Sequence, residues 1–232
     1  MILNGIPSEI PEIRNPVAVK ILCAYKAYAN QPSIAQFWHQ IDNNGNMLSL
    51  ICSLNGYLNL WSNNSDTDEI ASFIKFLSPV GIFTNLDTAN KLRLRINEKC
   101  LCFEKLPPFE KTEYVENGTP RELLNVLRSG LEIPDADSFI ADVSFRKYHD
   151  AAEYVINGGG ALIYFNDQSA LIHGIAVPKA ERKKGVGSFL IKLILSKAES
   201  RKVYACCIKK NENFYIKNGF TYIGEAAYCE EK

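Results

Sequence analysis

The pattern of apolar and polar positions in the second half of the chain predicts a regular succession of elements. Short apolar runs bounded by turn residues are typical of buried strands. Three such runs lie at 151–156, 160–165 and 170–177. Asn157-Gly158, a dipeptide favoured in two-residue hairpins, separates the first two. Helical spacing of apolar residues follows over 188–200, and a last short run at 203–208 predicts another strand.

The first half of the chain repeats this order. Apolar runs at 35–41, 47–54 and 57–61 predict three strands. The mostly acidic segment 66–69 then begins an amphipathic helix, and 80–84 predicts a fourth strand. The apolar face of that helix consists of Ile70, Phe73, Ile74 and Leu77. The chain is therefore predicted to be an α+β protein, with one architecture present twice through internal duplication.

Local signals between the two halves predict a boundary near residue 108. Pro107-Pro108 interrupts regular structure, and Tyr114-Val115 is a short predicted strand. Thr119-Pro120-Arg121-Glu122 has the form of a capping box with proline at the first helical position. Near the C-terminus, 215–219 predicts a short helix closed by a glycine. The expected domains are 1–108 and 109–232.

The composition of the chain limits the classes of partner that are expected. Lys plus Arg equals Asp plus Glu at 26 each, so no overall charge attracts nucleic acid or an anionic membrane. Neither a signal peptide nor a run of about 18 apolar residues occurs, so no membrane partner is expected. The seven cysteines lie mostly in apolar runs without paired metal-ligand spacing. They predict reduced thiols, a cytoplasmic location and no metal site.

The candidate binding segment is the basic turn Arg182-Lys183-Lys184-Gly185-Val186-Gly187, which lies between a predicted strand and a predicted helix. Glycines allow backbone N–H groups to converge, and a helix N-terminus adds the positive end of its dipole, so the turn could hold a diphosphate. Taken alone, the pattern favours a solvated basic turn before a helix. It matches neither the Walker sequence nor the three-glycine dinucleotide fingerprint.

Two spaced motifs resemble the GNAT superfamily of acetyltransferases. Its signature is Arg or Gln, two residues, Gly, one residue, then Gly or Ala, after the fourth strand, and the turn at 182–187 fits it. The segment Asn213-Phe214-Tyr215-Ile216-Lys217-Asn218-Gly219-Phe220 resembles the family's Tyr-x-x-x-Gly-Phe segment at the expected distance. The resemblance covers about 110–228, and 139–149 resembles the leading segment of tandem members. It implies a mixed, mostly antiparallel sheet flanked by helices, in two tandem domains.

The resemblance also implies a binding site for acetyl-coenzyme A. The end of the fourth strand would pair with the pantetheine arm, the turn amides would hold the pyrophosphate, and Ser188 would add a donor. The residues implied are Ile175, Ala176 and Val177 in the strand and Arg182, Lys183, Lys184, Gly185, Val186 and Gly187 in the turn. Asn211 or Asn213 would bond the pantetheine or the acceptor, although the family's asparagine stands where this chain has Ile208.

For catalysis, the resemblance implies Tyr215 as the general acid that protonates the departing thiolate. The family's strand carboxylate is replaced by Leu171, which leaves His173 as the candidate base on that strand. Asp142 and Glu153 are alternatives, and an amine that arrives neutral needs no base. Tyr215 and His173 also have plainer interpretations. Tyr215 is then a packing aromatic, and His173 is a structural histidine.

These expectations favour an N-acetyltransferase that moves acetyl from acetyl-coenzyme A to a small-molecule or peptide amine. The alternative is a coenzyme A-binding sensor without turnover, suggested by the absent carboxylate and the displaced asparagine. A nucleotide-binding α/β domain of another kind is disfavoured by the glycine spacing. The first half is expected to be non-catalytic, because acidic 66–69 stands where the basic turn would lie. The sequence gives no indication of the oligomeric state.

Overall fold

A computed structural model describes residues 1–63, 66–112 and 118–230. The predicted strand at Tyr114-Val115 lies outside the described residues. The strands are β1 Ile2–Asn4, β2 Ala35–Ile41, β3 Met47–Leu54, β4 Tyr57–Ser62, β5 Gly81–Asn85, β6 Arg95–Lys105, β7 Ala152–Ile156, β8 Gly160–Phe165, β9 Ser169–Ala176, β10 Lys202–Cys207 and β11 Thr221–Glu230. The helices are α1 Pro16–Tyr28, α2 Thr67–Leu77, α3 Leu86–Lys91, α4 Pro120–Leu127, α5 Ala136–Tyr148, α6 Val186–Ser196 and α7 Glu212–Lys217. The α+β class is confirmed.

The chain forms two compact units that interleave along the sequence. Unit 1 consists of Met1–Phe103, Cys206–Glu212 and Tyr222–Lys232, and unit 2 of Glu104–Ala205 and Asn213–Thr221. The division at residue 108 into independent domains stays a prediction, since compactness alone does not show that a segment folds by itself.

Unit 1 contains a sheet with the strand order β1-β2-β3-β4-β5-β11-β6. The predicted strands 35–41 and 47–54 are confirmed with these bounds, and β2, β3 and β4 pair antiparallel. After α2 crosses over, β5 pairs with β4 in parallel. The α2 residues Ile70 and Ile74 are buried against strand residues such as Leu60, while Phe73 and Leu77 pack at the margin of this core.

Unit 2 repeats this topology with the strand order β10-β9-β8-β7. Strands β7, β8 and β9 pair antiparallel, and β10 returns across α6 to pair with β9 in parallel. The shared order of strand, strand, strand, helix and parallel strand agrees with the predicted duplication of architecture. Four of the five residues expected on the apolar face of this helix, Leu190, Leu193, Ile194 and the nearby Ala198, are fully buried. The fifth, Phe189, is 42% exposed, so its predicted place in the core is wrong.

Local boundaries differ from the predicted ones for identifiable reasons. The β7–β8 connection has three residues, because Ile156 pairs with Gly160 and Asn157 N–H bonds to Gly159 C=O at 2.9 Å. Helix α6 covers 186–196 rather than 188–200, since Gly185 begins it at a φ of 84° and Glu199 has a φ of 56°. The capping box at Thr119 and Glu122 is confirmed at α4. In the described part of the chain, no helix is long and apolar enough to cross a membrane.

Candidate cofactor and acceptor site

The strands β9 and β10 pair over only part of their lengths. Their parallel register runs from Ser169 opposite Lys202 to Ile172 opposite Ala205. Strand β9 nevertheless continues, and its other side remains paired with β8 as far as Ala176 opposite Gly160. The last residues of β9 are therefore held on the β8 side while their ladder with β10 has ended.

A β-bulge marks the point at which this ladder ends. Leu162 pairs with Gly174 and Ile163 pairs with Ile172, so His173 is the extra residue of β9. Bulges of this kind redirect a side chain and increase the local twist of the strand. The side chain of His173 is exposed, and its ring stacks on Tyr164 with centroids 4.4 Å apart and an interplanar angle of 24°.

The basic turn that follows β9 ends in a helix N-terminus without a side-chain cap. Gly185 is the N-cap of α6 with a φ of 84°, and the first turn of the helix contains no acidic residue. Lys183 also has a positive φ of 65°. The first intrahelical bond joins Phe189 N–H to Gly185 C=O at 3.0 Å, so the preceding N–H groups have no acceptor within the helix. This is the backbone arrangement that suits an anion.

The side chains of the basic turn have different environments. Arg182 Nε donates to the C=O of Val177 at 2.9 Å, and its terminal nitrogen donates to the C=O of Ser129 at 3.2 Å. Arg182 therefore ties the turn to the end of β9 and to the residues after α4. The Lys184 ammonium lies 3.3 Å from Glu181, an exposed ion pair of little energetic weight.

Helix α7 carries Tyr215 and packs against the start of α6. A Cβ atom built on Gly187 would lie 3.0 Å from the Phe214 ring, so the glycine permits this close approach. The ring of Tyr215 is 4% exposed and lies edge-on to Phe214 and Phe220, with centroids 5.3 and 5.4 Å away. The glycine turn and the tyrosine segment, recognised separately in the sequence, are thus adjacent in unit 2.

The C-terminus of α7 is closed as the sequence predicts. Gly219 has a φ of 77°, and Phe220 N–H donates to Tyr215 C=O at 3.1 Å, which together form a Schellman motif. Lys105 Nζ donates to Asn218 C=O at 2.6 Å. Burial, and secondarily the nearby charge of Lys192, lowers the pKa of Lys105.

The remaining predicted site residues lie in several places. Asn213 is exposed at the start of α7 in unit 2, whereas Asn211 belongs to unit 1. Asp142 accepts hydrogen bonds from Arg146 Nε at 2.8 Å and from the Tyr164 hydroxyl at 2.7 Å. Glu153 pairs with Lys147 at 3.2 Å. Each of these carboxylates thus already has a cationic side-chain partner, and their roles as alternative bases stay predictions.

The corresponding positions of unit 1 are filled by its own side chains. The Asp66 side chain caps α2 by accepting from the N–H groups of Asp68 and Glu69. The parallel register of β4 and β5 ends with Leu60 opposite Thr84. Beyond it, the Asn85 amide accepts from Ser62 N–H at 3.1 Å and donates to Ser62 C=O at 3.2 Å. In unit 1 a side-chain amide therefore bridges the two strands where their ladder ends.

Sequence reasoning did not identify the group around Tyr164. Its members, Asp142, Arg146 and Tyr164, come from α5 and β8, and α5 itself was not predicted as a helix. The spacing of four residues between Asp142 and Arg146 is a usable signal, since such pairs meet on one helix face. In the described residues, no group of three or more potential ligands could hold a metal ion.

Comparison with known proteins agrees with this geometry. Residues 142–222 match the sequence model of the family described as "Acetyltransferase (GNAT) domain". Comparison with curated protein sequences returns no match.

Solved structures with a similar fold include three GNAT proteins. A GCN5-related N-acetyltransferase from Sphaerobacter thermophilus is 12% identical, with a TM-score of 0.56 and coverage of 98% of this chain and 94% of that chain. One from Kribbella flavida is 8% identical, with a TM-score of 0.57 and coverage of 91% and 95%. A tandem GNAT protein from the clavulanic acid biosynthesis pathway is 10% identical, with a TM-score of 0.54 and coverage of 91% and 92%.

At these identities the structural likeness shows the fold, and the family match covers the segment that contains β8, β9, the basic turn, α6 and α7. The tandem protein matches over most of this chain, in agreement with two GNAT-like units. Residues 142–222 therefore match a GNAT acetyltransferase domain, and the chain has the fold of GNAT proteins, in agreement with a two-domain arrangement.

Proposed function

We propose that the protein is an N-acetyltransferase that moves an acetyl group from acetyl-coenzyme A to an amine by direct attack. The observation that carries the proposal is the adjacency of two features in unit 2. The ladder between β9 and β10 ends at Ile172, and the chain then leads from β9 into an uncapped helix N-terminus at Gly185. An extended amide-containing arm could pair along the former while its diphosphate meets the latter.

Within this proposal, the end of β9 binds the pantetheine arm through the backbone of Ile175 and Val177. Residues two apart in a strand direct their polar backbone groups to the same side. The C=O of Val177 accepts from Arg182, and its N–H is proposed to polarise the thioester carbonyl. Ala176 between them contributes its small side chain, which is 5% exposed.

The amides of the basic turn, from Arg182 to Gly187, and of Ser188 would hold the pyrophosphate. Lys183 and Lys184 supply positive charge at exposed positions, while the Arg182 side chain fixes the turn itself. Asn213 is proposed as a further polar contact, and Asn211 remains a candidate from unit 1.

In the reaction the amine nitrogen forms a bond to the acetyl carbon, and the carbon–sulfur bond breaks. His173 is proposed to accept the proton that the amine loses, since its exposed ring stands at the bulge where the ladder ends. Tyr215 is proposed to protonate the departing thiolate. Its buried ring is fixed by Phe214 and Phe220, which suits a group that has to be held in one orientation.

Unit 1 is proposed to have no cofactor site, with a structural or acceptor-shaping role. The carboxylates at the start of α2 would repel a diphosphate, and the Asn85 amide makes the bonds that a bound arm would otherwise make.

The acceptor is proposed to be a small-molecule or peptide amine. Neither a nucleic-acid partner nor a bound metal is part of the proposal. A cytoplasmic location is proposed on the basis of the seven cysteines, which are all free in the structure.

Coenzyme A binding measured by calorimetry tests the proposal with a matched pair of variants. Gly185 and Gly45 have φ values of 84° and 82°, and a Cβ atom added to either meets nothing within 4 Å. Gly185→Val and Gly45→Val therefore impose a similar backbone strain, of roughly 1–2 kcal/mol. We expect Gly185→Val to weaken coenzyme A at least tenfold and Gly45→Val to leave it unchanged.

Thiol release from acetyl-coenzyme A with a panel of amines then separates the enzyme from a coenzyme A sensor. The enzyme releases thiol only when a suitable amine is present. Tight binding with no release, and no effect of Tyr215→Phe, would favour the sensor. Absence of binding to the intact protein would overturn both.

A further inference from the structure

The exposed ring of His173 rests on a ring that is itself buried. Tyr164 is 4% exposed, and the two centroids are 4.4 Å apart at an interplanar angle of 24°. An exposed histidine side chain ordinarily samples several rotamers. A stacked partner of this kind restricts the imidazole to orientations that keep the contact.

Tyr164 is in turn held by a charged pair from α5, in which Arg146 is buried and Asp142 is half-buried. Its hydroxyl donates to Asp142 Oδ2 at 2.7 Å, and Arg146 Nε donates to Asp142 Oδ1 at 2.8 Å. The guanidinium carbon of Arg146 lies 4.2 Å from the centroid of the Tyr164 ring. Both ends of the tyrosine, its hydroxyl and its π system, are therefore fixed by the same two α5 residues.

The burial of this pair makes it unlike an ordinary surface ion pair. The Arg146 side chain is 3% exposed and that of Asp142 is 20% exposed. Burying a guanidinium costs desolvation free energy, and well-packed apolar residues often serve stability equally well. A buried ionic pair that orients a neighbouring ring is consistent with a role in conformational specificity.

We propose that Asp142, Arg146 and Tyr164 are positioning residues that fix the His173 imidazole at the bulge of β9. This inference rests on the proposed function of His173 as the base. Asp142, weighed above as an alternative base, is here a support for the base. Tyr164, which is 4% exposed, is proposed to act through His173 rather than by contact with the amine or the thioester.

Magnetic resonance of histidine-labelled full-length protein tests the contact without any need for activity. Tyr164→Leu removes the ring and its ring current, whereas Tyr164→Phe keeps the ring and removes only the hydroxyl. We expect the His173 ring protons to move towards random-coil shifts in the leucine variant and to stay near their wild-type shifts in the phenylalanine variant. His39, whose Nδ1 lies 2.9 Å from Gly5 C=O in unit 1, is an internal reference that stays unchanged in both.

A double-mutant cycle tests the functional consequence. We expect Tyr164→Leu to lower kcat roughly ten- to hundredfold through misplacement of the imidazole, with coenzyme A affinity unchanged. His173→Gln should lower kcat as much, and the double variant should be no slower than His173→Gln alone. Tyr164→Phe keeps the stacked ring and its contact with Arg146, so it should keep most of the rate.

Multiplicative losses in the double variant, or His173 shifts that survive Tyr164→Leu, would overturn the inference. The proposed function would fail differently, through a wild-type protein that releases no thiol or does not bind coenzyme A. Comparison of the folded fraction by thermal unfolding ensures that both Tyr164 variants are measured as folded proteins.

Discussion

Gly159, beside the end of β9, is packed too closely to accommodate a side chain. A Cβ atom there would lie 2.7 Å from the C=O oxygen of Ala176 and 2.8 Å from Leu190 Cδ1. We expect Gly159→Ala to lower the free energy of unfolding by about 1–3 kcal/mol, because backbone cannot move aside as a flexible side chain can. Gly160→Ala is the control, since its methyl meets only side-chain atoms, at 3.2 Å or more. Equal losses in urea denaturation would contradict this account.

Tyr215 separates a chemical role from a packing role at one position. Tyr215→Phe keeps the ring between Phe214 and Phe220 and removes only the hydroxyl, so stability should change little. We expect a fall in kcat of about 100-fold or more if the hydroxyl is the general acid. Tyr215→Ala should also cost about 3–5 kcal/mol of stability, as other buried aromatic truncations do. Thiol-release kinetics together with thermal unfolding measure both; an undiminished rate in Tyr215→Phe would leave only packing.

At this scale the sequence identifies residue types better than their surroundings. Gly185, Gly187 and Tyr215 follow from motif spacing, and the structure brings their segments together in unit 2. The contact between Arg182 and Val177 C=O could not be predicted, because a charged side chain beside a glycine turn is equally suited to a phosphate. The catalytic and binding roles of these residues stay predictions.

The start of helix α6 can be tested by a substitution with opposite effects on stability and binding. Ser188 lies in its first turn, which contains no acidic residue. We expect Ser188→Asp to stabilise the protein by about 0.3–1 kcal/mol through the helix dipole. The same carboxylate should weaken coenzyme A at least tenfold by repelling its diphosphate. Ser188→Asn is the uncharged control, and calorimetry with urea denaturation measures both. Unchanged affinity in Ser188→Asp would place the diphosphate elsewhere.

Elements with a distinct apolar face were predictable, and elements buried on most sides were not. Helix α2 has one apolar stripe and was predicted, whereas α1 is buried along most of its length and shows little periodicity. Helix α5 was missed for the opposite reason, since Val143 and Arg146 are its only buried residues. The hairpin after Ile156 was predicted with two loop residues and has three, because Gly159 joins the turn.

Buried thiols should make the whole molecule sensitive to alkaline pH. Burial raises the pKa of Cys100 and Cys207 from 9.0 to about 12 and that of Cys229 to about 11. Between these values the unfolded chain loses protons that the folded protein retains, so stability falls as pH rises above 9. Each thiol should lower the free energy of unfolding by about 1.3 kcal/mol between pH 8 and pH 10.

Urea denaturation at the two pH values measures this loss, and Cys100→Ala provides the comparison. The variant should lose about 1.3 kcal/mol less than the wild type over the same interval, whatever its stability at pH 8. Equal losses in both proteins would show that Cys100 ionises normally in the folded state.

For the molecule as a whole, the repeated order of elements could be predicted because each copy has its own turn and cap signals. The interleaving of the two units along the sequence could not be predicted. Strand β11 lies between β5 and β6 in the sheet of unit 1, although it follows all of the unit 2 strands in the sequence. Its antiparallel partners, such as Tyr228 opposite Phe83, are far away along the chain, and no local pattern encodes such a pairing.

This placement of β11 has a consequence for vectorial synthesis on the ribosome. Unit 1 begins to emerge first, yet the gap between β5 and β6 can be filled only after every strand of unit 2 has been translated. The strands of unit 2 can thus pair with one another while the facing edges of β5 and β6 in unit 1 are still unpaired. A nascent chain stalled before residue 221 would expose those edges, which makes it a natural client for chaperones that bind unpaired strands.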